Sequence, residues 1–206
     1  MFSYERFENM QYLIRYPKGY RAGEKYPVIL LLHGSGSRGT DIRALAHNDY
    51  FAITQRYEDF PFVTVAPQCH ENTWFDLWET LTRLTGEILD MDFCDVSRFY
   101  AVGMSMGGYA VWQLGMSLPY RFAALVPICG GGMYWNAERL RHTPIRAFHG
   151  EDDTLVLPAE SIRMVEAVNA SGGHAVLTLY ADCGHASWRR AFSERALFDW
   201  LLTNHR

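Results

Sequence analysis

The chain has 206 residues, 49% hydrophobic and 20% charged, which is a globular profile and too apolar for a disordered chain. At roughly 150 residues per domain this length fits one domain, 1–206, and no linker-like stretch divides it. With 19 Lys and Arg against 23 Asp and Glu the net charge is -4, and no basic stripe is present to hold a nucleic acid.

The longest aliphatic run, Val28-Ile29-Leu30-Leu31-Leu32, is about a quarter of the length of a bilayer-crossing helix, so no membrane partner is expected. Met1-Phe2-Ser3-Tyr4-Glu5-Arg6 lacks a basic head followed by an apolar stretch, and no signal peptide is read there. Cys69, Cys94, Cys129 and Cys183 are far apart and form no C-x-x-C pair. They read as reduced thiols, and the expected location is cytoplasmic.

In chain order, apolar runs alternate with helical patterns, the sequence form of a mostly parallel sheet flanked by helices, and the fold class is α/β. Residues 11–16 alternate in polarity and precede Pro17-Lys18-Gly19, an edge strand and its turn. Residues 26–32 are continuously apolar, as in a strand buried on both faces. They end in a loop with three glycines, His33-Gly34-Ser35-Gly36-Ser37-Arg38-Gly39. Residues 62–66 form another strand, stopped by Pro67. From Trp74 to about residue 89, Trp74, Leu77, Trp78, Leu81, Leu84 and Ile88 recur at helical spacing. A strand at 99–102 leads into a helix ending near Ser117. Strands at 123–128, 145–148 and 175–180 follow, with helices near 158–168 and 188–202. The exposed last strand could pair with a second copy, so a monomer or homodimer is expected.

Between the strand at 99–102 and the helix after it lies Gly103-Met104-Ser105-Met106-Gly107-Gly108. In that context G-x-S-x-G marks a nucleophile elbow. A strand that turns at once into a helix forces Ser105 into strained backbone, and the glycines leave room for close approach. The serine oxygen is presented at the tip of the sheet, and the N–H of Met106 is aimed at a substrate oxygen.

A serine hydroxyl needs a neighbouring base, oriented in turn by a third group. In a frame of this kind the chain order is serine, acid, histidine. Among the histidines after the serine, His185 lies just past the last strand and before the last helix, on the edge where Ser105 emerges. His142, His149, His174 and His205 are less well placed. The acid should follow the strand at 145–148, where Glu151, Asp152 and Asp153 are consecutive and spacing does not separate them. Asp182 is a further candidate, three residues before His185. Asp153 is favoured because the apolar Leu155 and Val156 that follow would anchor it.

With these residues the chain resembles the α/β-hydrolase superfamily, in particular its small carboxylesterase, dienelactone hydrolase and peptidase-like branch. The resembling segments are Leu31 to Gly39, Ala66-Pro67-Gln68-Cys69, Gly103 to Gly108, His149-Gly150-Glu151-Asp152-Asp153-Thr154-Leu155-Val156, and Gly184-His185-Ala186-Ser187-Trp188. They occur in family order and span the chain from about Gln11 onward. The resemblance implies Ser105 as nucleophile, His185 as general base and Asp153 as acid. It implies Ser35 and Met106 as the oxyanion-hole donors, with Gly36 as a second candidate for the loop donor. His33 is read as a brace for that loop. Residues 129–144 are too few for a helical lid, so the site should be open. The chain is short for the family, and a peripheral element is expected to be missing at the N-terminal edge.

The implied activity is hydrolysis of a small-molecule carboxylic ester with a short or aromatic acyl group. Thioesterase, lysophospholipase, sugar deacetylase and small peptidase activities share this machinery. A non-catalytic ligand-binding module is the reading from a different class. No cofactor is expected. No metal is expected either, because Cys69-His70 and Cys183-x-His185 lack a four-ligand pattern. Gly36, Gln68, Trp74, Met104 and Trp135 are the candidate substrate-lining residues, with Phe75, Trp78, Met133 and Tyr134 nearby.

Overall fold

The computed structural model describes residues 1–206. Eight strands form one sheet: β1 (Phe2–Phe7), β2 (Met10–Arg15), β3 (Tyr26–Leu32), β4 (Val63–Pro67), β5 (Cys94–Met104), β6 (Ala124–Ile128), β7 (Ile145–Gly150) and β8 (Ala175–Tyr180). Their spatial order is β1-β2-β4-β3-β5-β6-β7-β8. β2 runs antiparallel to both β1 and β4, and all other pairings are parallel. The parallel strands therefore all end at one edge. That edge gathers the segments after β3, β5, β7 and β8, which are far apart in sequence.

The continuous apolar character of β3 follows from its position. Val28, Leu30 and Leu32 pack into the core on one face of the sheet, and Ile29 and Leu31 into the core on the other. The first core is covered by α3 (Trp78–Asp90), α4 (Met106–Ser117) and α5 (Ala159–Ala170). The second is covered by α1 (Ile42–Leu45), α2 (Asp49–Thr54), α6 (Trp188–Ser193) and α7 (Arg195–Thr203). In α3 the buried Leu81, Leu84 and Ile88 fall on one stripe, as three- and four-residue steps require. No helix is long and apolar enough to cross a membrane.

Several expectations need correction. At the N-terminal edge β1 forms a hairpin with β2. The pattern that begins at Trp74 opens as a 3-10 turn, Trp74–Leu77, fixed by a capping box between Thr73 and Asp76, and becomes α-helical only at Trp78. The last helix breaks at Glu194, whose backbone is extended and whose carboxylate accepts a hydrogen bond from the Tyr180 hydroxyl at 2.6 Å. Helices α1 and α2, which sequence periodicity left unassigned, are short and are started by the side chains of Asp41 and Asn48.

Candidate active site

Ser105 joins β5 to α4 with φ 53° and ψ -119°, a region costly for a residue with a Cβ. The turn closes because its neighbours are glycines. A Cβ on Gly107 would run into the Leu32 carbonyl, and one on Gly103 into the backbone of Gly107. The Ser105 N–H donates to the Ile128 carbonyl at 2.8 Å, which ties the elbow to the end of β6.

The side chain of Ser105 meets His185, with Oγ 2.8 Å from Nε2. On the other side of the ring, Nδ1 lies 2.7 Å from Oδ2 of Asp153. The carboxylate can only accept, so Nδ1 carries the proton and Nε2 offers its lone pair to the serine hydroxyl. Asp153 is buried. Its Oδ1 accepts from the N–H groups of Leu155 at 2.9 Å and Val156 at 3.0 Å. Burial pushes this carboxyl up, but the His185 hydrogen bond and the two backbone N–H groups outweigh it and hold the pKa below the ordinary value. Glu151 and Asp152 are exposed, as is Asp182, so of the four candidate acids the structure brings Asp153 alone to the imidazole.

Behind Asp153 stands His149, fully buried, its Nε2 3.2 Å from Oδ2 and 2.8 Å from the Val156 carbonyl. Its Nδ1 pairs with Ser161 Oγ at 2.7 Å, and Ser161 also donates to the Gly130 carbonyl. The Asp153 turn is thereby tied to α5 and to the end of β6. Sequence reading placed His149 only as a strand end, because nothing local shows that a turn folds back over it.

The loop after β3 packs directly on the elbow, with Gly34 against the Met104 carbonyl and the Ser105 Cβ. His33 braces it as expected. Its Nε2 accepts from the Cys69 N–H at 3.0 Å and its Nδ1 donates to the Gly34 carbonyl at 2.7 Å. Burial lowers its pKa to about 4, so the ring is neutral. Arg38, whose part the sequence did not reveal, donates to the carbonyls of Ser35 and Asn72. Ser35 and Gly36 open the 3-10 turn of this loop and Met106 opens α4 next to Ser105, so their backbone N–H groups lie at helix starts beside the nucleophile.

Cys129, Asp153 and His185 are the residues whose donor atoms cluster as metal ligands would, within 4.8 Å of one another. The donor set fits a metal poorly. Burial pushes the Cys129 thiol up to about 12, and His185 and Asp153 are already bound to each other.

A cavity of about 430 Å³ opens over Ser105 and His185, lined by Ser35, Gly36, Met104 and Trp188 and by His47, Asn48 and Asp49. The last three come from the segment that begins α2. Asn48, whose side chain caps this helix by accepting from the Phe51 N–H, with the acidic Asp49 in its first turn, is the one local signal for them. A second, more apolar cavity of about 540 Å³ lies among Phe75, Trp78, Tyr109, Gly132 and Met133.

Three lining assignments are corrected. Trp74 is 0% exposed, its Nε1 donating to the His33 carbonyl, and belongs to the core. Gln68 is buried and holds the Ser37 carbonyl from behind the loop. Trp135 is 73% exposed, on the 3-10 turn Tyr134–Leu140, and lines neither cavity.

Comparison with known proteins agrees with this architecture. Dipeptidyl-peptidase 5 of Porphyromonas gingivalis is 23% identical over 94% of this chain, which spans 36% of that protein. The chain thus covers about a third of the curated relative it matches. A thermostable esterase superposes with a TM-score of 0.85 at 28% identity, over all of this chain and 63% of its own. Est1E from Butyrivibrio proteoclasticus gives 0.76 at 13% identity, over 98% of both chains. The feruloyl esterase module from Clostridium thermocellum gives 0.74 at 16% identity, over 96% of this chain and 87% of its own. The model of the dienelactone hydrolase family matches residues 21–195, and the chain belongs to that family of α/β-hydrolases.

Proposed function

We propose that the protein is a serine hydrolase of small carboxylic esters that works through an acyl-enzyme on Ser105. One observation carries this reading: the unbroken hydrogen-bonded line from Ser105 Oγ through His185 to the buried Asp153. Ser105 attacks the carbonyl carbon as its proton passes to His185 Nε2, and Asp153 stabilises the resulting imidazolium. The carbonyl oxygen becomes an oxyanion and accepts from the N–H groups of Met106 and of Ser35 or Gly36. One such donor is worth about 3 kcal/mol. His185 then protonates the leaving alcohol, and water repeats the sequence to release the acid.

Short or aromatic acyl groups suit the two cavities. The first is small and polar around Ser105, while the second offers the Phe75 and Trp78 rings, stacked 5.6 Å apart, beside Met133. The peptidase among the relatives raises peptide hydrolysis as the second reading. A peptide substrate bound by its N-terminal ammonium would need a free carboxylate in the site. Asp49 is the sole carboxylate lining the Ser105 cavity, and Trp188 and Arg189 already hold it at 2.8 and 2.9 Å. This favours the ester.

The test is turnover of p-nitrophenyl esters from acetate to octanoate, a hydroxycinnamate ester and a dipeptide p-nitroanilide by wild type and Ser105→Ala. Ester turnover that vanishes in the variant supports the reading. Turnover of the anilide alone supports the peptidase, and no turnover of any substrate moves the protein to the ligand-binding class.

A further inference from the structure

Arg15 ends β2 far from Ser105. It pairs in register with Thr64 near the start of β4, whereas the Ser105 site lies past the strand ends. It is 9% exposed. A guanidinium buried to that degree ordinarily has a carboxylate partner, and Arg15 takes part in none of the ion pairs of the molecule. Its surroundings are hydroxyls and aromatic faces instead. Nη1 donates to Thr54 Oγ1 at 2.6 Å, and Nη2 reaches Thr64 Oγ1 at 3.5 Å. Its Cζ sits 5.3, 5.1 and 4.5 Å from the ring centres of Tyr50, Phe51 and Phe60. These rings fix the plane of the fork. A guanidinium has five N–H donors, and the two threonines engage only part of that set.

The fork opens on a cavity of about 340 Å³ whose rim carries Lys18, Arg56 and Glu58. None of these three is in an ion pair either. Three cations against one carboxylate leave the cavity with two net positive charges. Burial of Arg15 pushes its pKa down, so the guanidinium is held in an environment that disfavours its charge. A bound anion would relieve that cost.

We propose that this cavity is a binding site for a doubly charged oxyanion, a phosphate either free or carried by a small molecule. Arg15 supplies the planar fork at its floor, and Lys18 and Arg56 the two charges at its rim. The site is independent of Ser105 and does not rest on the esterase reading.

The test is calorimetric titration at matched ionic strength with inorganic phosphate, glycerol phosphate and acetate. Arg15 is packed among rings, so Arg15→Met risks the fold, and the exposed pair Lys18→Ala, Arg56→Ala carries the experiment. Wild type should bind phosphate saturably, and the double variant should bind at least about tenfold more weakly with its circular dichroism spectrum unchanged. Tighter binding of glycerol phosphate would assign the site to a phosphorylated small molecule, and equal binding to the free ion. No saturable binding up to about 10 mM phosphate, acetate bound as tightly, or an unchanged double variant would overturn the proposal.

Discussion

Ser105 Oγ and His185 Nε2 lie 2.8 Å apart although 80 positions separate them in the chain. The contact follows from topology. β5 is central, β8 is at the sheet edge, and both deliver their following loops to the same end of the sheet. Asp153, past β7, completes the line because β7 lies between β6 and β8.

Asp153→Asn should lower kcat for an ester about 10³- to 10⁴-fold with little change in fold. The amide can still accept from Leu155 and Val156, but its NH₂ would face Nδ1 and turn the imidazole to the wrong tautomer. Steady-state kinetics with circular dichroism check this, and a loss below tenfold would remove Asp153 from the reaction.

Ser105 holds φ 53° only because the elbow imposes it. Ser105→Gly should therefore raise stability by about 1 kcal/mol or more while activity is lost. Urea denaturation measures it, and a glycine variant less stable than wild type would show that the backbone is not strained there.

The neutral His33 makes stability depend on pH. Its pKa falls from 6.5 to about 4 in the fold, so between those values the unfolded chain binds the extra proton. Stability is then full above pH 6.5, declines as pH falls toward 4, and has lost about 3 kcal/mol from this group at the end. Asp153, whose pKa is lowered, adds a further loss as pH falls through its folded value. His33→Gln should flatten the slope between pH 6.5 and 4 in denaturant unfolding, and an unchanged slope would assign it to other groups.

Trp78 lines the apolar cavity. Trp78→Ala should raise KM for a hydroxycinnamate ester about tenfold, or 1.4 kcal/mol, and leave acetate turnover near wild type. Equal effects on both substrates would mean that the ring supports the fold and does not contact the acyl group.

The strand order of chemistry was readable because each motif is local. Gly103 to Gly108 carries its own steric logic, and His185 is marked by the turn between a strand and a helix. Choosing among Glu151, Asp152 and Asp153 depends on how the turn folds, a matter of backbone N–H groups from Leu155 and Val156 that spacing does not encode. Residue type and loop position mark Trp74 and Trp135, and neither tells whether a ring points into the core or into water. The six-residue α2 is too short for a periodic signal, so no repeat in the sequence points His47, Asn48 and Asp49 toward the cavity. Arg15 is equally silent in sequence, since a cation at a strand end reads as solvent-facing.

Ser105 as nucleophile and His185 as its base underlie every step of the proposed reaction. Labelling with a fluorophosphonate, mapped by peptide mass spectrometry, checks both residues at once. The adduct should sit on Ser105, be absent from Ser105→Ala, and form at least about 10³-fold more slowly in His185→Ala. No adduct, or one that persists in Ser105→Ala, would rule out Ser105 as the nucleophile.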